Sequence, residues 1–183
     1  MIINSVRYSL FITLTLISCT ELSEYDSQSV SEALSDSVFS ITESWDVTTH
    51  LIEEGRRIIT LESPYTATFE KNGRNQSHMD GPVTITAYDS LGVPITLVYA
   101  DKSIYHSRET EFEFEGDVVV INLETENTLR TEYLKWFYHT RHIDAPGFVT
   151  IVSPTDSIAG EGLSGKDDLT EYRLKRITGQ FQL

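Results

Sequence analysis

The strongest constraint on the fold is a short glycine-led segment that recurs at a nearly fixed interval. Its four copies are spaced 35, 31 and 32 residues apart and begin at Gly81, Gly116, Gly147 and Gly179. A second motif shows the same spacing, because Tyr105-His106-Ser107-Arg108 returns 33 residues later as Tyr138-His139-Thr140-Arg141. A repeat of about 20–50 residues indicates stacked supersecondary units rather than a globular enzyme core.

Apolar and polar residues alternate with a period of two, which is typical of strands. Phe112 and Phe114 alternate with Glu111, Glu113 and Glu115, so the rings and the carboxylates are expected on opposite faces of one strand. Proline and glycine turn signals punctuate the chain at the spacing of sandwiches and barrels. The sequence therefore predicts an all-β fold of about 12–16 antiparallel strands, with about three strands in each repeat.

The N-terminus has the organisation of an export signal. Arg7 is the one charged residue among the first twenty, and an apolar run at 10–17 leads to Ser18 and Cys19. A positive start, an apolar run of about 7–15 residues and a small residue form a secretory signal. Leu16-Ile17-Ser18-Cys19 also resembles the bacterial lipobox. We expect residues 1–18 to be a signal peptide and Cys19 to carry the lipid, a plain signal peptide being the alternative.

Composition and charge exclude some classes of function and indicate where the folded domain begins. The chain has 28 acidic and 14 basic residues, a formal net charge of −14, which argues against nucleic-acid binding. Its single cysteine excludes an intrachain disulfide and a cysteine-based zinc site. Residues 19–44 are acidic and serine-rich, and we expect a disordered or short-helical tether there. The folded domain is expected at 45–183.

Over residues 45–183 the chain resembles a known family. The matching stretches are Leu97-Val98-Tyr99-Ala100-Asp101-Lys102 with Ile104-Tyr105, Glu115-Gly116-Asp117-Val118, Thr128-Leu129-Arg130-Thr131-Glu132-Tyr133-Leu134 and Ile158-Ala159-Gly160-Glu161-Gly162-Leu163. Their order and spacing resemble the LptC family, a periplasmic component of lipopolysaccharide export within the OstA-like group. The resemblance implies an elongated open β-jellyroll whose V-shaped groove carries lipid A acyl chains. Familiar members begin with a transmembrane helix, whereas this chain offers Cys19.

The same resemblance implies partners and a location. The partners are lipopolysaccharide through its lipid A, the permease of an inner-membrane ABC transporter, and the next jellyroll of a periplasmic bridge. The resemblance implies a location in the periplasm. Together with the lipobox-like run at Cys19, it leads us to expect a lipoprotein anchored to a bacterial membrane, with the inner membrane favoured and the outer membrane left open. No cofactor is implied, and the energy for transport would come from the transporter's nucleotide hydrolysis.

Two sets of residues are expected to form the binding surfaces. The final stretch has no charge and no proline, so its edge suits pairing with a partner strand. That partner edge is Ile177-Thr178-Gly179-Gln180-Phe181-Gln182-Leu183. The family resemblance implies that this edge meets the next jellyroll and that the opposite edge, near residues 45–51, meets the transporter. The groove is expected to be lined by the apolar face that recurs after each glycine and by the strands paired with it: Val83, Ile85, Ile95, Leu97, Tyr99, Val118, Val120, Leu129, Thr131, Val149, Ile151 and Ile158.

The sequence contains no convincing catalytic or metal-binding constellation. The glycines at 160, 162 and 165 match a dinucleotide motif by letter, but the second strand and acidic residue that the motif requires do not follow. His139 and His142 are three apart, so on a strand they would point to opposite faces. We therefore predict a protein that is not an enzyme. Two alternatives stay open, a structural or adhesive β-sandwich lipoprotein with a filled core and a carbohydrate-acting jellyroll enzyme.

Overall fold

The computed structural model describes residues 40–71 and 74–182. In this part of the chain nine antiparallel strands form one open sheet, in which each strand pairs with its neighbours in sequence. The strands are β1 (Ser40–Glu53), β2 (Arg56–Lys71), β3 (Arg74–Tyr88), β4 (Pro94–His106), β5 (Glu111–Asn122), β6 (Thr128–Phe137), β7 (His142–Val152), β8 (Asp156–Lys166) and β9 (Tyr172–Gln182). The predicted all-β, open jellyroll fold is confirmed.

The number of strands differs from the prediction. The described residues hold nine strands of 10–16 residues instead of about 12–16 shorter ones. Each repeat is one hairpin of two long strands rather than a unit of three. The recurring glycines lie within strands, since β3, β5, β7 and β9 carry Gly81, Gly116, Gly147 and Gly179.

A line of register shifts crosses the sheet near the middle of the strands. Neighbouring shifts fall between Asp80 and Val83 in β3 and between Glu115 and Val118 in β5, and similar shifts occur from β2 to β8. Gly81 and Gly116 lie in these shifts with φ of +91° and +78°, a region that favours glycine. Such bulges bend strands and let each one pass from one layer into another.

The bends divide the sheet into two halves that face each other. Half-sheet A consists of the strand ends next to the turns at 54–55, 89–93, 123–127 and 153–155. Half-sheet B consists of the opposite strand ends, next to the loops at 107–110, 138–141 and 167–171. Buried apolar side chains from both halves form one core. Phe112 and Phe114 are 0% and 1% exposed, so the predicted division of rings and glutamates between two faces is confirmed.

The N-terminal boundary of the domain differs from the expectation. Residues 40–44, assigned to the tether, form the start of β1 and pair with residues 66–70 of β2. Main-chain pairing orders this serine-rich stretch although it has few apolar side chains to bury. The expected signal peptide, Cys19 and the expected tether up to residue 39 lie outside the described residues. Within the described part, no helix is long and apolar enough to cross a membrane.

Candidate functional site

A row of apolar side chains runs across the inner face of half-sheet A. Consecutive cross-strand partners place Leu61, Ile85, Val98, Val120, Leu129, Ile151 and Ile158 side by side. All but Ile158 are buried, and Ile158 packs partly buried against them. Of the residues expected to line a groove, this inner face gathers Val83, Ile85, Val118, Val120, Leu129, Thr131, Val149, Ile151 and Ile158.

Three residues of β4 do not belong to this row. Leu97 and Tyr99 alternate with the buried Val98, and Tyr99 is 39% exposed, so the expectation that both face the interior is wrong. Ile95 is half-buried and lies at the rim of a cavity at the end of the interior. Because β4 carries apolar residues on both faces, alternation alone does not determine which face of the strand is buried. The pairing of Val98 with Val120 determines that the Val98 face is buried.

The interior is accessible on the side of β1. That strand is mostly exposed, and its inner residues Val47 and Leu51 are only half-buried while Thr49 is exposed. A cavity of about 150 Å³ lies between the half-sheets here. It is lined by Ser44, Val47, Thr49, Leu61, Ser63, Thr66, Thr68, Ser77, Met79 and Tyr105. The two half-sheets thus enclose a trough with an accessible side along β1.

The loop that joins β8 to β9, which we call the plug (residues 167–171), packs into the interior of the trough. Leu169 inserts into the core and is 1% exposed. The Asn122 side-chain amide donates a hydrogen bond to the Asp168 carbonyl at 2.7 Å, and that of Asn127 donates to the Leu169 carbonyl at 3.4 Å. These bonds tie half-sheet A to a loop of half-sheet B and hold the plug in place.

A buried carboxylate anchors the start of the plug. Asp167 is 7% exposed and accepts hydrogen bonds from Trp136 Nε1 at 3.2 Å and from Arg141 Nε at 3.1 Å. Burial would lower the pKa of Arg141, but the charges of Asp167 and Asp168 outweigh it and raise that pKa above its ordinary value. The hydrogen bond from Arg141 to Asp167 therefore joins the β6–β7 loop to the β8–β9 loop.

The aromatic run at 136–138 is divided between the core and the surface. Trp136 is buried and packs against Phe112, with ring centroids 5.4 Å apart. Phe137 lies on the other face, near Lys135 and His142. Tyr138 is half-buried beside the Trp136 ring and lines a cavity of about 480 Å³. Packing at the sheet end therefore accounts for the burial of Trp136. Phe137 and Tyr138 are only half-buried.

Glu111 and Glu113 of β5 belong to an ion-pair network on the outer face, in which both lie close to Lys135. Glu113 accepts a hydrogen bond from the Tyr133 hydroxyl at 2.9 Å and lies 3.3 Å from Lys135 Nζ and 3.2 Å from His106 Nε2. Burial would raise the pKa of Glu113, but the bonds from Tyr133 and Lys135 leave it below its ordinary value. Burial and the bond to Glu113 raise the pKa of Tyr133 to about 12. Glu113 is thus held ionised by structural partners.

The open sheet has two edge strands, β1 and β9. The predicted partner edge lies on β9 from Ile177 to Gln182, and Leu183 is outside the described residues. A register shift between Ala159 and Gly160 of β8 leaves Thr178 without a cross-strand partner, so it interrupts the expected alternation along β9. On β1, Trp45 is 66% exposed. Each of these strands has one neighbouring strand among the described residues, so both edges offer main-chain groups that no described strand pairs.

Comparison with known proteins gives one family match. The chain matches the family model described as lipopolysaccharide-assembly, LptC-related, over residues 9–181. No curated protein matches the chain. The LptC family acts in lipopolysaccharide transport as a periplasmic bridge component linked to the inner membrane, and it is not a family of enzymes. An open, folded-over β-sheet together with a match over nearly the whole sequence means that this chain belongs to the LptC-related family.

Proposed function

We propose that the trough between the half-sheets shields the acyl chains of lipopolysaccharide while the lipid crosses the periplasm. The observation that carries this proposal is the continuous apolar row from Leu61 to Ile158, which meets an accessible side along β1. Each methylene group left in water costs about 0.8 kcal/mol, so a lipid with several long chains needs such a shield. The apolar interior is also continuous along the sheet, because every strand from β2 to β8 contributes a side chain to it.

The two edges of the sheet suggest the direction of transfer. We propose that β1 pairs with the transporter permease and that β9 pairs with the next jellyroll of the bridge, so that the troughs become continuous. Exposed edge strands are suited to this kind of main-chain pairing. Lipid would arrive on the accessible β1 side and leave past the plug, which must move aside. Nucleotide hydrolysis by the transporter would drive the movement.

A second candidate is a structural or adhesive lipoprotein, because the central core is already filled. Val118 and Leu129 are both 0% exposed, and an interior of this kind needs no ligand for its stability. Mass spectrometry of protein extracted gently from its native membrane separates the two candidates. Transport predicts co-purifying lipopolysaccharide, whereas a structural role predicts protein without bound lipid, and the latter result would contradict our proposal.

We also propose that Cys19 carries the membrane anchor. Cys19→Ser should move the domain from the membrane fraction into the soluble exported fraction, because a lone thiol at the end of an export signal is the attachment point for lipid. The measurement is fractionation together with metabolic labelling by palmitate. A mutant that stays in the membrane, and a wild type that takes up no label, would refute the lipoprotein assignment.

Proline substitution at two adjacent positions tests the β9 edge. Neighbouring N–H groups of an edge strand point alternately toward β8 and away from it. Of Gln180→Pro and Phe181→Pro, one should therefore remove an outward donor and abolish capture of the next bridge component without loss of folding. The other removes a bond to β8 and serves as the matched control, with its main effect on stability. Full capture by both folded variants, measured by pull-down with circular dichroism, would exclude pairing through β9.

A further inference from the structure

The two edge strands of the sheet carry opposite charges. β9 (Tyr172–Gln182) has three cationic side chains and no acidic one, whereas β1 (Ser40–Glu53) has three acidic side chains and no lysine or arginine. No other described strand has as large a net positive charge as β9. The whole chain has a formal net charge of −14, so a basic strand at the edge of the sheet is an exception in this protein.

The cations of β9 lie in the first part of the strand. Arg173, Lys175 and Arg176 precede the register shift at Thr178, and no charged side chain follows it. The predicted partner edge from Ile177 onward is therefore uncharged, so it offers main-chain groups without a charge that could distinguish one partner strand from another. The adjoining part of the same edge supplies that charge.

Two of the three cations have no ion-pair partner among the described residues. Arg176 pairs with Glu161 of the neighbouring strand β8. Arg173 and Lys175 are exposed and form no such pair within the described part of the chain. The Lys175 stem lies against Gly162, since a Cβ atom added to that glycine would be 2.7 Å from Lys175 Cδ. Both charges are thus held at the edge and are available to a strand that is added there.

A strand added to β9 would place its side chains next to these cations. Residues directly opposite each other on neighbouring strands have Cβ atoms about 4.5–5.5 Å apart, where opposite charges attract and like charges repel. An acidic strand would therefore gain ion pairs as well as main-chain hydrogen bonds, and a basic strand would be repelled. The main-chain groups of β9 that no described strand pairs run beside the cations, which favours a strand over a free phosphate as the ligand.

We propose that the first part of β9 selects an acidic edge strand of the partner protein, and that Arg173 and Lys175 provide this selection. The inference rests on the proposed function, in which β9 pairs with the next jellyroll, and it adds the chemistry of the partner strand. The acidic β1 has the opposite preference, so a strand that fits β9 is repelled at β1. Attraction at one edge together with repulsion at the other gives the bridge its polarity.

Binding of two strand-length peptides to the full-length protein tests the inference. One peptide alternates threonine with glutamate and the other threonine with glutamine, both have blocked termini, and fluorescence anisotropy measures their affinities. At about 0.15 M salt the Debye length is about 8 Å, so the cations of β9 act while more distant acidic residues are largely screened. Two exposed ion pairs predict about fivefold tighter binding of the glutamate peptide. The preference should disappear at about 1 M sodium chloride.

Two double variants locate the preference on the protein. Arg173→Gln/Lys175→Met should bind both peptides equally, with unchanged affinity for the glutamine peptide, and methionine keeps an apolar stem against Gly162. Arg74→Gln/Arg108→Gln is the matched control, because it removes the same charge from exposed positions outside both edge strands. This control should keep the fivefold preference. Circular dichroism checks that both variants keep the fold.

The outcomes separate charge selection from strand pairing. Equal affinity of the wild type for both peptides, or a preference that survives in the β9 variant, would overturn charge selection and leave pairing through β9 standing. Failure of the wild type to bind either peptide would overturn that pairing as well. Displacement of the glutamate peptide by inorganic phosphate, but not by sodium chloride of the same ionic strength, would assign the cations to a phosphate ligand instead. Self-association of the wild type that the β9 variant abolishes would make a second copy the partner and overturn the assignment to a different protein.

Discussion

Leu169→Ala is expected to lower the free energy of unfolding by about 2–5 kcal/mol, the usual cost of truncating a fully buried leucine. Leu169 is 1% exposed and is the apolar residue by which the plug fills the trough. Its removal leaves a cavity between the half-sheets. Two asparagine side chains hold the plug backbone in place, so the loop cannot simply collapse into the space.

Urea denaturation of the protein measures this loss. Leu91→Ala is the matched control, because Leu91 is 86% exposed in the β3–β4 turn. We expect that control to change stability by no more than about 0.5 kcal/mol. A loss at Leu169 as small as that at Leu91 would show that the plug does not contribute to the core. The account of a trough closed by this loop would then be incorrect.

Gly116→Ala is the second substitution with a large expected effect, about 2–5 kcal/mol of destabilisation. Gly116 lies at the bend of β5 with φ of +78°, where a Cβ atom costs about 1–2 kcal/mol. An added Cβ would also lie 2.9 Å from Asp101 Cβ on the neighbouring strand, which cannot move without shifting β4. Overpacking of this kind adds about 1–3 kcal/mol.

Gly92→Ala separates the two causes. Gly92 has φ of +81°, but a Cβ added there would meet nothing within 4 Å. That variant should therefore show the backbone cost alone, and the difference between the two variants measures the packing at the bend. Equal losses at both positions, from the same denaturation experiment, would mean that the bend is not tightly packed.

Much of the fold follows from local patterns that the sequence displays. The alternation around Phe112 and Phe114 determines which face of β5 is buried, since each glutamate between them would be costly in the core. The turns at Glu54-Gly55 and at Asp89–Gly92 follow from residues that tolerate positive φ. The repeat correctly indicated stacked β-units. These features depend on residues close together in the chain.

Features that depend on residues far apart in the chain could not be predicted from these local patterns. The glycine at 116 reads locally as a turn, and only its contact with Asp101 shows that it bends a continuous strand. Leu97 and Val98 are equally apolar, so the partner strand decides which one faces inward. Leu169 sits in a polar loop, and its burial depends on Asn122 and Asn127, more than forty residues away.

The most direct test of the central claim uses two adjacent threonines on β1. Thr49 lines the cavity on the accessible side of the trough, whereas Thr48 pairs with Glu62 on the outer face, and both are exposed. A photo-crosslinking residue at either position should leave the fold intact. In living cells, the residue at 49 should capture lipopolysaccharide and the one at 48 should not. Equal capture at both positions, or none at 49, would contradict transport through the trough.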